Sequence, residues 1–149
     1  MGTEIAPAGT TNAAGSDCAG DGEIATYDTS KILSAEAGTG SWGSATFTKL
    51  DAWKISGRGA YADGKPPFHT LYCSHWFDTH PEWNGGGLVA VAHYDWGTRF
   101  LKVDAAGKIS EVGWFQPVAG YTAAAYWITK DIVYVLDYRR GLDILRYKA

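Results

Sequence analysis

Two stretches decide how this chain is read: GLVAVAHYDWGTRFLKV at residues 87–103 and DIVYVLDYRRGLDILRY at residues 131–147. Laid over one another at an offset of 44, Leu88 meets Ile132, Val89 meets Val133 and Val91 meets Val135. Further on, Tyr94 meets Tyr138, Gly97 meets Gly141 and Leu101 meets Leu145. Each stretch is an apolar run of strand length, then Tyr, two residues, Gly and a second apolar run. That pattern is a β-hairpin, with the glycine relieving backbone crowding at the turn. The segments just before also match, at an offset of 51: SHWFD (74–78) lies over AYWIT (125–129), with Trp76 on Trp127. The extra seven residues fall in the loop THPEWNGGG (79–87), where an insertion costs little. GEIATYD (22–28) reads as a fainter third copy, its Gly22 standing where Gly97 and Gly141 stand.

Outward from these hairpins, strands are expected over 22–28, 45–56, 69–78, 88–95, 99–104, 109–117, 120–128, 131–138 and 142–148. Turn residues separate them, and a short helix fits around Ile32 to Ala37 before Gly38 and Gly40 end it. Residues 1–21 have no hydrophobic period and read as a flexible N-terminal segment. The fold class is therefore all-β. A repeat of about 44 residues with three or four strands is the size of a propeller blade. The expectation is a partial β-propeller of two to three four-stranded antiparallel blades: a remnant at 22–59, a blade at 60–117 and a blade at 118–149. A lone blade leaves both faces open, so each needs a neighbour. An uncovered one must self-associate or find missing blades.

The segments GLVAVAHYDWGTRFLKVDAAGKISEVGWF and DIVYVLDYRRGLDILRY, with the motifs GTRFLKVD, GYTAAAYWI and RRGLDILRY, resemble the LVIVD-repeat family of β-propellers. The likeness is to the C-terminal portion of secreted bacterial members, actinobacterial ones above all. It covers 60–149 well and 18–59 loosely. It implies a full propeller of six or seven blades, about 300 residues or more, of which this chain would be a fragment. It also implies an extracellular or cell-surface setting. The opening MGTEIAPAGTTNAAGSD, however, has neither the basic nor the apolar region of a signal peptide.

Charge narrows the partners. Thirteen Lys and Arg against 16 Asp and Glu leave a formal charge of −3, which argues against nucleic acid or anionic lipid. No apolar run is long enough to insert in a membrane as a helix. The two cysteines, Cys18 and Cys73, are either buried thiols or one disulfide; the polar loop around Cys18 leans towards the bond. Such a bond would contribute about 3–4 kcal/mol on the loop-entropy account.

Candidate site residues fall into three groups. His69, His75, His80 and His93 lie within 25 residues, among Asp78, Glu82 and Asp95. His75, His80 and His93 are the candidate ligands for a divalent metal, although a spacing of five puts His75 and His80 on opposite faces of a regular strand. His75 and Tyr126, equivalent at the offset of 51, could line a central channel. In HYDWGTR (93–99), Asp95 and Arg99 could pair across the turn, leaving Trp96 as an exposed contact anchor. Among the tryptophans, Trp83 in the glycine-rich loop is the candidate for stacking on carbohydrate, while Trp76 and Trp127 are expected in the core between blades.

Neither a GxSxG elbow nor a P-loop lysine is present, so no catalytic residue is assigned. The expected role is a non-enzymatic binding scaffold for protein or glycan. The alternatives are a metal-binding or hydrolytic propeller using the His/Asp cluster, and a fragment without autonomous function. A homo-oligomer fits the last of these.

Overall fold

The computed structural model describes residues 24–28, 48–55 and 74–148. Cys18, Cys73, His69, the N-terminal segment 1–21 and the helix expected near 32–37 lie outside the described residues. Within them the chain is all-β and antiparallel. Strands β1 (Ile24–Asp28) and β2 (Thr48–Trp53) pair to form sheet 1. Sheet 2 has four strands in sequence order: β3 (Phe77–Thr79), β4 (Gly87–Ala92), β5 (Thr98–Val103) and β6 (Ile109–Phe115). Sheet 3 has three: β7 (Thr122–Trp127), β8 (Ile132–Asp137) and β9 (Gly141–Arg146).

Alternation along each strand sorts side chains to opposite faces, and two apolar layers result. Val89, Val91, Leu101 and Val103 on one face of sheet 2 close over Ile24, with Trp53 at the margin. Ala90 and Phe100 on its other face close over Ala125, Trp127, Val133 and Val135 of sheet 3. Sheet 2 is thus covered on both sides. The continuous apolar run of β4 is what a strand needs when neither face meets water.

The hairpin repeat holds residue by residue. Leu88 pairs with Lys102 in sheet 2 and Ile132 with Arg146 in sheet 3, so both strands of the hairpin keep the offset of 44. Gly97 and Gly141 both adopt positive φ, 75° and 90°. Val89 and Val91 face the preceding sheet, and so do their counterparts Val133 and Val135.

Two details of the sequence alignment are corrected by the register. Thr79 pairs with Val89 and Trp127 with Val133, so Thr79 and Trp127 correspond, 48 residues apart. The offset of 51 placed Trp76 on Trp127 by matching the rings; the strands align by their hydrogen bonds instead. Trp127 is core, whereas Trp76 is 59% exposed. The third copy is also displaced. With Gly22 matched to Gly97, Ile24 would take the place of Arg99, facing backwards. Ile24 instead faces sheet 2, as Phe100 faces sheet 3, which needs a shift of one residue. A slip of one exchanges the two faces of a strand.

Polar ties fasten the layers at defined points. The Thr26 hydroxyl donates to the Gly107 carbonyl at 2.6 Å, and the Ile109 N–H donates to Asp51 at 2.9 Å. That N–H is the chief reason the Asp51 carboxyl is held below its ordinary range. Between sheets 2 and 3, the Trp127 N–H donates to Asp78 at 2.9 Å. Tyr94 and Thr122 exchange a pair of backbone hydrogen bonds at 2.9 Å each.

Candidate functional site

Of the polar residues singled out in the sequence, His75, His93, Asp95 and Arg99 lie where the turn 93–97 meets sheet 3, and most of them are structural. Arg99 is buried; it bonds Glu111 at 3.4 Å and Gln116 at 3.2 Å, and lies 5.8 Å over the Trp114 ring. Asp95, also buried, pairs with Arg139 at 3.4 Å. The expected Asp95–Arg99 pair across the turn is therefore replaced by two others. Arg99 points along its own sheet to β6, and Asp95 reaches the next one. Asp95 and Arg139 occupy corresponding positions of the two hairpins, so the ion pair joins one repeat to the other. Trp96 is 8% exposed and is a buried ring rather than a surface anchor. The tight turn closed by Gly97 folds it inward: the Trp96 N–H donates to the His93 carbonyl at 2.9 Å.

Gly97 explains the tightness. A Cβ there would lie 2.2 Å from the Phe115 carbonyl oxygen, at a positive φ that side chains rarely adopt. Only glycine lets the end of β6 approach so closely. The hydroxyl of Thr122 then donates to the Gly97 carbonyl at 2.7 Å, bringing sheet 3 onto the same turn.

The three histidines do not converge. The His75 Nδ1–H donates to the Ala123 carbonyl, and its ring sits 4.9 Å from Tyr94. His80 is committed at both nitrogens: Nε2–H donates to the Lys130 carbonyl at 2.8 Å, and Nδ1 accepts the Glu82 N–H at 3.1 Å. No lone pair on that ring is left for a metal. Its edge packs on Trp127 at 4.6 Å. His93 is buried against Trp53, with ring centroids 5.6 Å apart. Burial, with the Arg99 charge second, pushes the His93 pKa down to about 3. Among the described residues no three of His, Cys, Asp or Glu are grouped as a metal requires. Asp78, another member of the cluster, is spent on the Trp127 N–H.

An aromatic row runs across the junction of sheets 2 and 3. Tyr94, Tyr121 and Tyr138 stack in series at 5.0 and 5.9 Å, with the Arg139 guanidinium 4.9 Å over Tyr121. Burial and then the Asp95 carboxylate hold the Tyr121 phenol above its ordinary range, with Arg139 working against them. Asp137, the counterpart of His93, accepts from the Tyr121 N–H at 2.7 Å and from the Arg139 and Arg140 N–H groups at 2.9 and 3.0 Å.

What remains open lies elsewhere. His75 does not correspond to Tyr126: by register the counterpart of Tyr126 is Asp78, so the two do not form a repeated ring. They do share one feature. Both line an open apolar depression of about 500 Å³ on the outer side of sheet 3, with Trp76, Leu136, Tyr138 and Leu142. The continuous apolar run of β8 was the available signal for it. Trp83 sits at the opposite end of sheet 2, 37% exposed. Its N–H donates to the His80 carbonyl at 2.9 Å, and Gly87 lies beneath its ring, where a Cβ would be 3.3 Å from the indole. The loop therefore presents a positioned aromatic ring. No family model, curated protein or solved structure matches this chain.

Proposed function

We propose that the chain is part of a β-propeller of the LVIVD-repeat kind and works as a non-enzymatic binding scaffold outside the cell or at its surface. The observation that carries this reading is the direction of stacking. Val89 and Val91 face the preceding sheet, as do Val133 and Val135, so corresponding faces point the same way along the series. Serial stacking of one repeated unit is the logic of a propeller, whereas a two-sheet sandwich opposes its inner faces. The scaffold role is supported by where the polar residues are spent. His80, Asp78, Asp95 and Arg99 all hold the fold together. Trp83, on its loop, is the ring offered to a protein or glycan surface.

The fold is tested by a crystal structure: neighbouring sheets of a six- or seven-bladed propeller are related by about 50–60° around one axis, while an aligned sandwich keeps about 30°. The role is tested by titrating the chain with neutral oligosaccharides and soluble proteins while following tryptophan fluorescence. Saturable binding weakened at least tenfold by Trp83→Ala supports the scaffold. Turnover of chromogenic esters, with or without zinc, refutes it.

A further inference from the structure

We infer that the Asn84–Gly85 bond, in the loop that carries Trp83, is a site of spontaneous covalent modification: loss of the Asn84 side-chain amide produces an isoaspartyl link that displaces the Trp83 ring. The inference rests on the binding role proposed for Trp83 only for its meaning as regulation of that site. The chemistry itself needs no ligand.

The chain has two asparagines, Asn12 before Ala13 and Asn84 before Gly85. Asparagine is a thermolabile residue, and a following glycine has no Cβ to keep its own nitrogen away from the asparagine side chain. The structure adds three conditions. Asn84 and Gly85 are both exposed to water. The Asn84 N–H donates to the Gly86 carbonyl at 3.1 Å, curling the chain around Gly85, whose own N–H has no hydrogen-bond partner among the described residues. Around Gly85, nothing lies within 4 Å of where a Cβ would stand, so a small ring has room to close there.

In the first step the Gly85 nitrogen gives up its proton and attacks the Asn84 Cγ. The N–Cγ bond forms, the Cγ–Nδ2 bond breaks and ammonia leaves with that proton, giving a cyclic succinimide. Water then opens the ring. Breaking the N–Cγ bond yields an aspartate in an unaltered backbone. Breaking the bond from the Asn84 carbonyl carbon to the same nitrogen routes the chain through Cβ and Cγ instead. Either way, amide and water become acid and ammonia, with no oxidant or reductant.

The second product lengthens the backbone by one atom, and the loop is held on both sides of that atom. Before it, the Trp83 N–H donates to the His80 carbonyl at 2.9 Å. After it, Gly86 lies so close to sheet 2 that a Cβ would be 2.8 Å from the Val103 carbonyl oxygen, and Gly87 pairs with Val103. β4 is paired along both edges, so the Trp83 side is the one that yields. The indole then leaves its seat over Gly87. The aspartyl product keeps the ring in place and adds a negative charge beside it, with Glu82 on the other side in sequence.

Peptide mapping by mass spectrometry, after incubating the full chain in mildly alkaline buffer, should show Asn84 converting ahead of Asn12, with isoaspartate and aspartate both formed. Gly85→Ala should slow the conversion at least fivefold. Asn84→Gln should abolish it over the same period, because glutamine must close a larger ring. Fluorine NMR of chains carrying fluorotryptophan follows the ring itself, with Trp83→Phe assigning its signal. In the isoaspartyl chain, separated by chromatography, the Trp83 signal should move to its position in urea while the other tryptophans keep theirs. In Asn84→Asp it should stay close to the original. An Asn84 that outlasts Asn12, an aspartyl product alone, or an isoaspartyl chain with an unmoved Trp83 signal would each overturn the proposal. No ligand enters these measurements, so the binding role of Trp83 stands or falls separately.

Discussion

The β4–β5 and β8–β9 hairpins share one register, one pair of positive-φ glycines and one orientation, yet they live in different surroundings. The first has a sheet on each face and β6 along its edge. Among the described residues the second has a sheet on one face, and β9 is the edge strand. The same local sequence logic therefore builds both hairpins, while neighbours alone decide what each residue contributes to stability. Paired substitutions measure that difference directly.

The widest gap should open between Phe100 and Ile144. Phe100→Ala empties a site packed against Trp127 and Tyr147 and should cost about 3–5 kcal/mol in urea unfolding. Ile144→Ala, at low protein concentration, should cost about 1 kcal/mol or less. Equal costs would mean that the outer face is covered within one molecule. Next come the two turn glycines. Gly97→Ala forces a Cβ onto the Phe115 carbonyl and should cost about 3 kcal/mol or more. At Gly141 nothing lies within 4 Å, so Gly141→Ala should cost only the backbone term, about 1 kcal/mol.

Asp78→Ala sharpens the comparison at the contact between the sheets. It strips the Trp127 N–H of its acceptor and should cost about 1–3 kcal/mol, with hydrogen exchange rising first in β7. The last comparison is in pH. His93 stays neutral in the folded chain down to about pH 3, while the unfolded chain protonates it near 6.5. Its contribution is complete above pH 6.5 and is lost as pH falls towards 3, by at most about 1.4 kcal/mol per pH unit. His93→Asn, which cannot protonate, should flatten that slope in thermal unfolding between pH 6.5 and 4. A slope that persists would assign the acid sensitivity to other groups.

Much of the architecture was legible in the sequence. Alternation and glycine spacing located most of the strands, although the one expected over 69–78 is confined among the described residues to Phe77–Thr79, and the 44-residue offset anticipated the pairing of both hairpins, because hydrophobic period and turn geometry are local. Matching Trp76 to Trp127 sets the first strand of the repeat three residues out of register, since the two share a side chain but not a hydrogen-bonding position. Ring identity carries no register information. The site residues were less legible for a similar reason. Asp95 and Arg99 stand four apart, which suggests a pair, but Arg139 and Glu111 are nearer in space and far in sequence. His80 looked like a ligand because composition does not reveal the Lys130 carbonyl that occupies it.

Among the described residues β7–β9 meet a neighbouring sheet on one flank only, and that has a thermodynamic consequence. In a linear array, each layer's resistance to opening is its own cohesion plus the couplings to adjacent layers. A layer coupled on one flank should detach by a partial opening cheaper than global denaturation, exchanging its amide protons ahead of β4 and β5. Adding a layer there would merge the two events into one cooperative transition.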